Sequence, residues 1–373
     1  MTLFNHSLHF SEPLYGRDRL SYNKLAEHGG FEYYETRAHG CTQPGDVIQL
    51  DPDLKEDYPF AAEHYRQVGL DCTDQVVWDL SAKVADDFPD HHLSVYLFLD
   101  EVHAVRPDAK RLAATKRYLN KNSFMRLCQG KAPIPQTVFG DTAGRVADYK
   151  HMPFPLYVKG AISATGSSAY RCTTGQEVER AIKLMSGEYQ LQADVGPAEF
   201  LSVQYTITPE GEVKHLINTE QIIEGVEFVG TRYPTAYNPA EATQAIAQQA
   251  ARDGIRGKMG IDVAVTQDGQ YLVLECNPRW TGALYPMVIA QRLGAVEWST
   301  ARMPIQVDRL QDLALGDLVY DPGRKTGVVL INWGRVKYKW IELLFIGPKE
   351  TQELLRLAVK NLYRTHFKSP HPA

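Results

Sequence analysis

Nowhere in its 373 residues does this sequence reach the stretch of about 18 apolar residues that a membrane span requires. Its first twenty residues lack the apolar core of a secretory leader, so a cytoplasmic location is expected. Cysteine is sparse: Cys41, Cys72, Cys128, Cys172 and Cys276 are odd in number and none stands in a CxxC pair. That excludes a disulfide framework and a zinc site, and the thiols are expected to be reduced and structural. Lysine and arginine are spread rather than clustered, and a formal charge of −5 gives no electrostatic case for a nucleic-acid partner. No GxGxxG follows the first β-like run, no Walker A loop is present, and no internal repeat or low-complexity linker is evident.

What the chain does have is the composition of a globular protein of two or three domains, 44% hydrophobic and 23% charged. Its most informative stretch runs from Gly260 to Gly282. Two apolar runs flank Asp268 and Gly269, and Asp-Gly is a strong signal for a two-residue hairpin turn. A tight turn there sets Asp262 opposite Glu275 and Gly260 opposite Asn277, with the carboxylates about 5 Å apart on one face. Alternation sends Leu274 and Cys276 to the other face, which makes Cys276 a packed thiol. Facing like charges destabilise a sheet unless something compensates, and two carboxylates with a carboxamide suit a hard cation such as Mg²⁺. The alternative is a solvated charge pair on an edge hairpin.

The stretch before residue 113 alternates β-like and helical runs: β-like at 31–35 and 46–50, helical near 60–68, then β-like at 75–79 and 93–99. This alternation predicts a small α/β layer with a parallel sheet. Residues 113–130 read as one helix ended by Gly130, and Lys121 taken alone is an ordinary exposed helix lysine. A β-run then ends at Lys159 and leads into a loop of Gly, Ala, Ser and Thr. Small residues let backbone N–H groups approach an anion, and the lysine adds a point charge for phosphate; a plain surface hairpin is the competing reading. Antiparallel signals follow through 189–217, and helices near 176–185 and 240–256 frame that region, with strands at 325–333 and 339–345 and a helix at 351–363 beyond it. Leu354, Leu355, Ala358 and Leu362 have helical spacing on that last helix.

Together these pieces resemble the ATP-grasp superfamily over roughly residues 113–300. The stretch from Asp262 to Arg279 looks like that family's metal-binding hairpin, Lys121 like the lysine of its first nucleotide-contacting helix, and Lys159 like the phosphate lysine ahead of its flexible loop. Gln192 and Glu199 are similar to its hinge pair. The resemblance implies an α/β and α+β chain, an ATP-grasp fold preceded by a small Rossmann-like pre-ATP-grasp domain. It divides into residues 1–112, an N-terminal subdomain at 113–190, a C-terminal subdomain at 191–300 and an extension at 301–373. It implies ATP and two Mg²⁺, for which Mn²⁺ could substitute, held by Asp262, Glu275 and Asn277. Lys121, Lys159, Ser163, Gly166, Ser167, Gln192, Ala193, Asp194 and Glu199 would meet the nucleotide, and Arg279 with Lys159 the transferring phosphoryl group.

Three positions depart from the family pattern. Gly160 stands where many members have proline, Gln192 replaces a common glutamate, and Gly260 takes a place where some members carry a phosphate-contacting arginine, a charge that Lys258 or Arg256 would then supply. The segments at 219–221, 228–230 and 233–234 resemble the substrate side of amino-acid and peptide ligases. Arg232, Tyr233, Trp280, Thr281 and Gly282, with Tyr285, are accordingly the expected substrate residues, although core packing is the ordinary fate of such aromatics. The implied activity is an ADP-forming carboxylate–amine ligase acting through an acyl phosphate on a small carboxylate and an amine, which needs no Ser/His/Asp or Cys/His nucleophile. A kinase, a carboxylase-like enzyme and a non-catalytic nucleotide-binding regulator are the competing readings, and a homodimer is compatible with all of them.

Overall fold

The computed structural model describes residues 1–9, 32–144, 147–163, 168–196, 198–225 and 227–363. At the N-terminus, β1 (Thr2–Asn5), β2 (Val47–Gln49), β3 (Val76–Val77) and β4 (His92–Val95) form a parallel sheet in the order β3-β2-β1-β4. The parallel layer matches expectation. Its central strand, Thr2–Asn5, is too short to stand out in the pattern, and Tyr34 and Glu35, the end of the β-run expected at 31–35, instead open a 3-10 helix, Tyr34–Cys41. Helix α1 (Tyr58–Gln67) packs through Ala61 and Tyr65, one helical turn apart.

Residues 113–130 are not one helix. α2 (Asp100–Val105) leads to α3 (Ala109–Leu119), and the chain breaks at Asn120 before α4 (Lys121–Cys128). Asn120 has extended backbone angles and its side-chain oxygen accepts from Ser123 N at 2.9 Å, a helix N-cap worth about 1 kcal/mol. The break puts Lys121 in the first turn of a new helix, with its backbone N–H donating to Ala161 O at 2.8 Å.

β5 (Thr137–Asp141), β6 (Leu156–Gly160), β7 (Ala169–Cys172) and β8 (Glu188–Ala193) form an antiparallel sheet in the order β5-β8-β6-β7. Helix α5 (Gly175–Lys183) covers it through Val178 and Ala181. β9 (Ala198–Ile207) follows β8 in sequence but belongs to another sheet, so the segment after Ala193 carries the chain from one sheet to the next. That larger antiparallel sheet also holds β10 (Val213–Glu224), β11 (Glu227–Tyr233), β12 (Gly257–Thr266), β13 (Tyr271–Asn277), β14 (Trp298–Pro304), β15 (Gly327–Asn332) and β16 (Trp340–Ile346), in the order β13-β12-β9-β10-β11-β14-β16-β15.

Alternation gives the middle of this sheet two unlike faces. Leu201, Val203 and Tyr205 on β9 and Met259, Ile261 and Val263 on β12 point into a core closed by α4 and by α6 (Ala240–Asp253). Ser202, Gln204, Gly260 and Asp262 take the opposite face. Helix α7 (Leu284–Arg292) follows the hairpin, and α8 (Lys349–Tyr363) closes the described chain. α8 buries Gln352 and Val359, leaving Leu354 and Leu362 exposed, because its contact face with β14 and β16 lies on another side of the helix from those leucines.

The β12–β13 hairpin pairs Asp262 with Glu275 and Gly260 with Asn277, as expected, but by another route. The turn has three residues, 267–269: Thr266 N donates to Gln270 O, and Gly269 takes φ +80°. The resulting one-residue offset persists from Val265↔Tyr271 to Val263↔Val273, and a bulge at Leu274 then removes it. The bulge also turns Leu274 toward the side of Glu275 and Asn277, contrary to simple alternation, while Cys276 stays in the core.

Candidate active site

The polar face of the large sheet and the β5–β8 sheet enclose a cavity of about 540 Å³. Its lining contains Lys121, Lys159, Ser163, Gln192, Ala193, Asp194, Glu275, Asn277 and Arg279, which the sequence had spread over nearly 160 positions. Tyr157 and Phe200 add aromatic walls, and Arg171 bonds Asp194 at 2.9 Å across the rim.

Two lysines approach from different elements. Lys121 Nζ lies 3.0 Å from Glu275 Oε2 and donates to Ser163 O at 3.4 Å, which ties the start of the small-residue loop to the hairpin. Lys159 Nζ donates to Gln192 Oε1 at 2.7 Å, and Gln192 Nε2 donates in turn to Thr137 Oγ1 at 3.2 Å. Burial brings the Lys159 ammonium down to about 8; Glu275 and Asp194 oppose that shift while Lys121 adds to it.

The acid pair is a buried, interacting unit. Burial first, and then the Glu275 charge, push Asp262 well above the usual carboxylate range. Burial pushes Glu275 upward as well, but Lys121, the hydrogen bond to Asp262 and Lys159 outweigh it and hold that group low. Asn277 Nδ2 bridges the two, 3.0 Å from Asp262 Oδ2 and 3.4 Å from Glu275 Oε1. Two facing carboxylates and a carboxamide are a donor set for a hard divalent cation, which would take the Asn277 oxygen after an amide flip. Among the described residues no third His, Cys, Asp or Glu completes a metal cluster. Mg²⁺ commonly binds through one or two carboxylates and takes its other ligands from water and phosphate, so the residues present fit that ion.

Behind Asp262 runs a hydrogen-bond chain that motif reading missed. Thr281 Oγ1 donates to Gln204 Oε1 at 3.0 Å, Gln204 Nε2 to Ser202 Oγ at 2.7 Å, and Ser202 Oγ to Asp262 Oδ1 at 2.8 Å. The signal was available: Ser202 and Gln204 alternate with Leu201, Val203 and Tyr205 on a strand buried on both faces. Gly260 sits beneath this chain, and a Cβ there would lie 2.7 Å from Thr281 Cγ2 and 3.1 Å from the Gln204 amide. Gly260→Ala is therefore expected to cost about 1–3 kcal/mol by overpacking, read as a lowered melting temperature. An unchanged melting temperature would contradict the tight packing.

The N-terminal layer places Arg279. Leu97 bridges to Arg279, Trp280 N donates to Tyr96 O at 3.2 Å, and the guanidinium lies over the Tyr96 ring. The remaining expected residues fall elsewhere. Trp280 is buried against His6 and Tyr285, Thr281 is spent on Gln204, and a Cβ at Gly282 would lie 3.1 Å from the Phe228 ring. Glu199 is exposed while its neighbours Ala198 and Phe200 line the cavity, as strand alternation requires. Arg232 pairs with Glu220 at 2.7 Å and lines a different cavity, and Tyr233 stacks on the buried Trp298. Arg256 is engaged by backbone carbonyls and Lys258 lies over Trp280, so neither reaches the cavity in place of an arginine at 260. Gly166 and Ser167 lie outside the described residues.

Residues 120–283 match the ATP-grasp domain model. No curated protein matches the sequence. Solved structures resemble the whole chain at low identity. The ADP complex of an N5-carboxyaminoimidazole ribonucleotide synthetase has a TM-score of 0.59 at 12% identity, covering 96% of this chain and 95% of that one. The N5-carboxyaminoimidazole ribonucleotide synthetase of Thermus thermophilus scores 0.57 at 14%, with 99% and 100% covered. A Campylobacter jejuni biotin carboxylase complex scores 0.57 at 10%, with 93% and 87% covered. Residues 120–283 thus form an ATP-grasp domain, preceded in the chain by the N-terminal α/β layer.

Proposed function

We propose that this chain is an ATP-dependent carboxylate–amine ligase that forms an amide through an acyl phosphate and releases ADP and phosphate. The observation that carries this reading is the convergence of Lys121, Lys159 and Arg279 with the Glu275–Asn277 end of the acid hairpin on one cavity. Phosphoryl transfer asks a protein for positioning and charge neutralisation more than for covalent chemistry. Lys121 and Lys159 offset the phosphates, Ser163 meets them from the start of the small-residue loop, and the segment from Gln192 to Asp194 meets the base. Arg279 faces the group in transit, and Asp262, Glu275 and Asn277 hold the metal. Mg²⁺ bound there supplies neutralisation of phosphate charge. The substrate acid attacks the terminal phosphorus, and the amine then displaces phosphate from the acyl carbon. In this reading residues 1–112, 113–190, 191–300 and 301–373 act as four units, the last extending the large sheet.

A second reading, with bicarbonate as the acid, is favoured by the whole-chain resemblance to enzymes whose names denote carboxylation. An ADP-release screen that crosses amino acids and small carboxylates with amines, with a bicarbonate arm and mass spectrometry of active pairs, tests both. ADP release by no pair would overturn both readings.

Lys159 makes the site sensitive to pH. Its folded value of about 8 lies below the ordinary lysine value of 10.5, so its destabilising effect is complete below pH 8 and fades as pH rises toward 10.5. Nucleotide phosphates favour the ammonium. MgADP binding above pH 8 is therefore expected to take up a proton and to weaken with rising pH. Calorimetry in buffers of different ionisation enthalpy checks this, and an uptake that persists in Lys159→Met would contradict the assignment.

A further inference from the structure

β11 and β14 form ladder pairs only where Arg232 and Tyr233 meet Ser299 and Trp298. Beyond that point a cavity of about 570 Å³ opens between them, with α8 as its floor, and it matches the nucleotide cavity in size. The two share a wall one strand thick: Ile222 and Glu224 line the second cavity, Ile223 and Gly225 the first.

The charges in the second cavity are unevenly matched. Arg232 is answered by Glu220 at 2.7 Å and Arg302 by Glu227 at 4.0 Å. Among the described residues Arg356 has no carboxylate partner: its guanidinium donates to Ser299 Oγ at 3.0 Å and Thr300 O at 3.5 Å and rests on the Phe345 ring. Those contacts fix its position. Burial works against the charge, Glu353 favours it and Arg232 opposes it, but a guanidinium stays protonated and so stands ready for an anion. Lys349 and Lys360 flank it on the same helix, leaving three cations against Glu224 and Glu353. Met303 and Trp340 supply an apolar side.

We propose that this cavity binds a phosphate-bearing small molecule of up to about nucleotide size, at a site separate from the nucleotide cavity and divided from it by residues 222–225. Against Glu224 and Glu353 the three cations leave an excess of one positive charge. The several oxygens of a phosphate can meet a guanidinium and two ammonium groups at once, which a single carboxylate cannot. The site stands whatever reaction the chain catalyses.

The test is calorimetric titration of ribose 5-phosphate into the full chain. Saturable binding is expected, weakened at least about tenfold in the double variant Lys349→Ala, Lys360→Ala and unchanged in Lys159→Met, which alters only the nucleotide cavity. Both lysines at 349 and 360 are exposed, so the double variant keeps its fold. Arg356→Gln is expected to weaken binding to the same degree, and amide exchange at 222–225 to slow with ligand. Absent binding at millimolar ligand, or equal binding in the double variant, would overturn the proposal. Loss in Lys159→Met with retention in the double variant would place the phosphate in the nucleotide cavity and overturn it as well.

Discussion

Glu275→Ala is expected to lower ADP formation by at least about 10³-fold, roughly 4 kcal/mol of lost transition-state stabilisation, with the fold retained. Glu275 meets Lys121 at 3.0 Å and Asn277 at 3.4 Å and faces Asp262 across the hairpin, so its removal dismantles the donor set at its centre. The fold should survive because the Glu275 side chain lines the cavity and is 31% exposed, so its truncation opens no void in the apolar core. Circular dichroism and a thermal melt separate the two effects. Near-normal turnover in a folded variant would contradict the metal assignment.

Lys159→Met is expected to act in opposite directions on activity and stability. Loss of the ammonium should reduce kcat/KM for ATP by about 10²-fold, the scale of one charge-stabilising donor. The same change relieves the desolvation that brings the group down to about 8, so the melting temperature of the nucleotide-free protein should rise. Gln192 loses a donor at Oε1 but keeps Thr137 at Nε2, so β8 stays in place. A variant that loses both stability and activity would mean that Lys159 supports the fold instead.

Much of this site was legible because it depends on strand alternation and residue type. Facing residues on the hairpin placed Asp262 opposite Glu275 and Gly260 opposite Asn277, although the turn has three residues, because the bulge at Leu274 restores the register. That bulge is a tertiary compromise with no local signature, so simple alternation sends Leu274 to the wrong face. The Asn120 break was hidden inside an apolar helical pattern, where an asparagine reads as helix surface until its cap bond is seen. Trp280, Thr281 and Gly282 follow Arg279 directly, yet they serve packing and the Gln204 chain, since adjacency in sequence does not choose between a cavity and a core. Arg232 lay beyond pattern reading for a different reason: the opening between β11 and β14 depends on the path of two strands distant in the chain. The N-terminal layer's part in setting Arg279 likewise emerges only once Leu97 and Tyr96 are in place.

The central claim is that the cavity transfers a phosphoryl group to an oxygen of a substrate acid before an amine attacks. Its most direct test is isotopic, applied to any acid and amine pair that supports ADP release. With the acid labelled by ¹⁸O in its carboxylate, one labelled oxygen should appear in the released phosphate, and the same holds for bicarbonate. Phosphate that carries no label while product accumulates would contradict an acyl or carboxy phosphate and the account built on it.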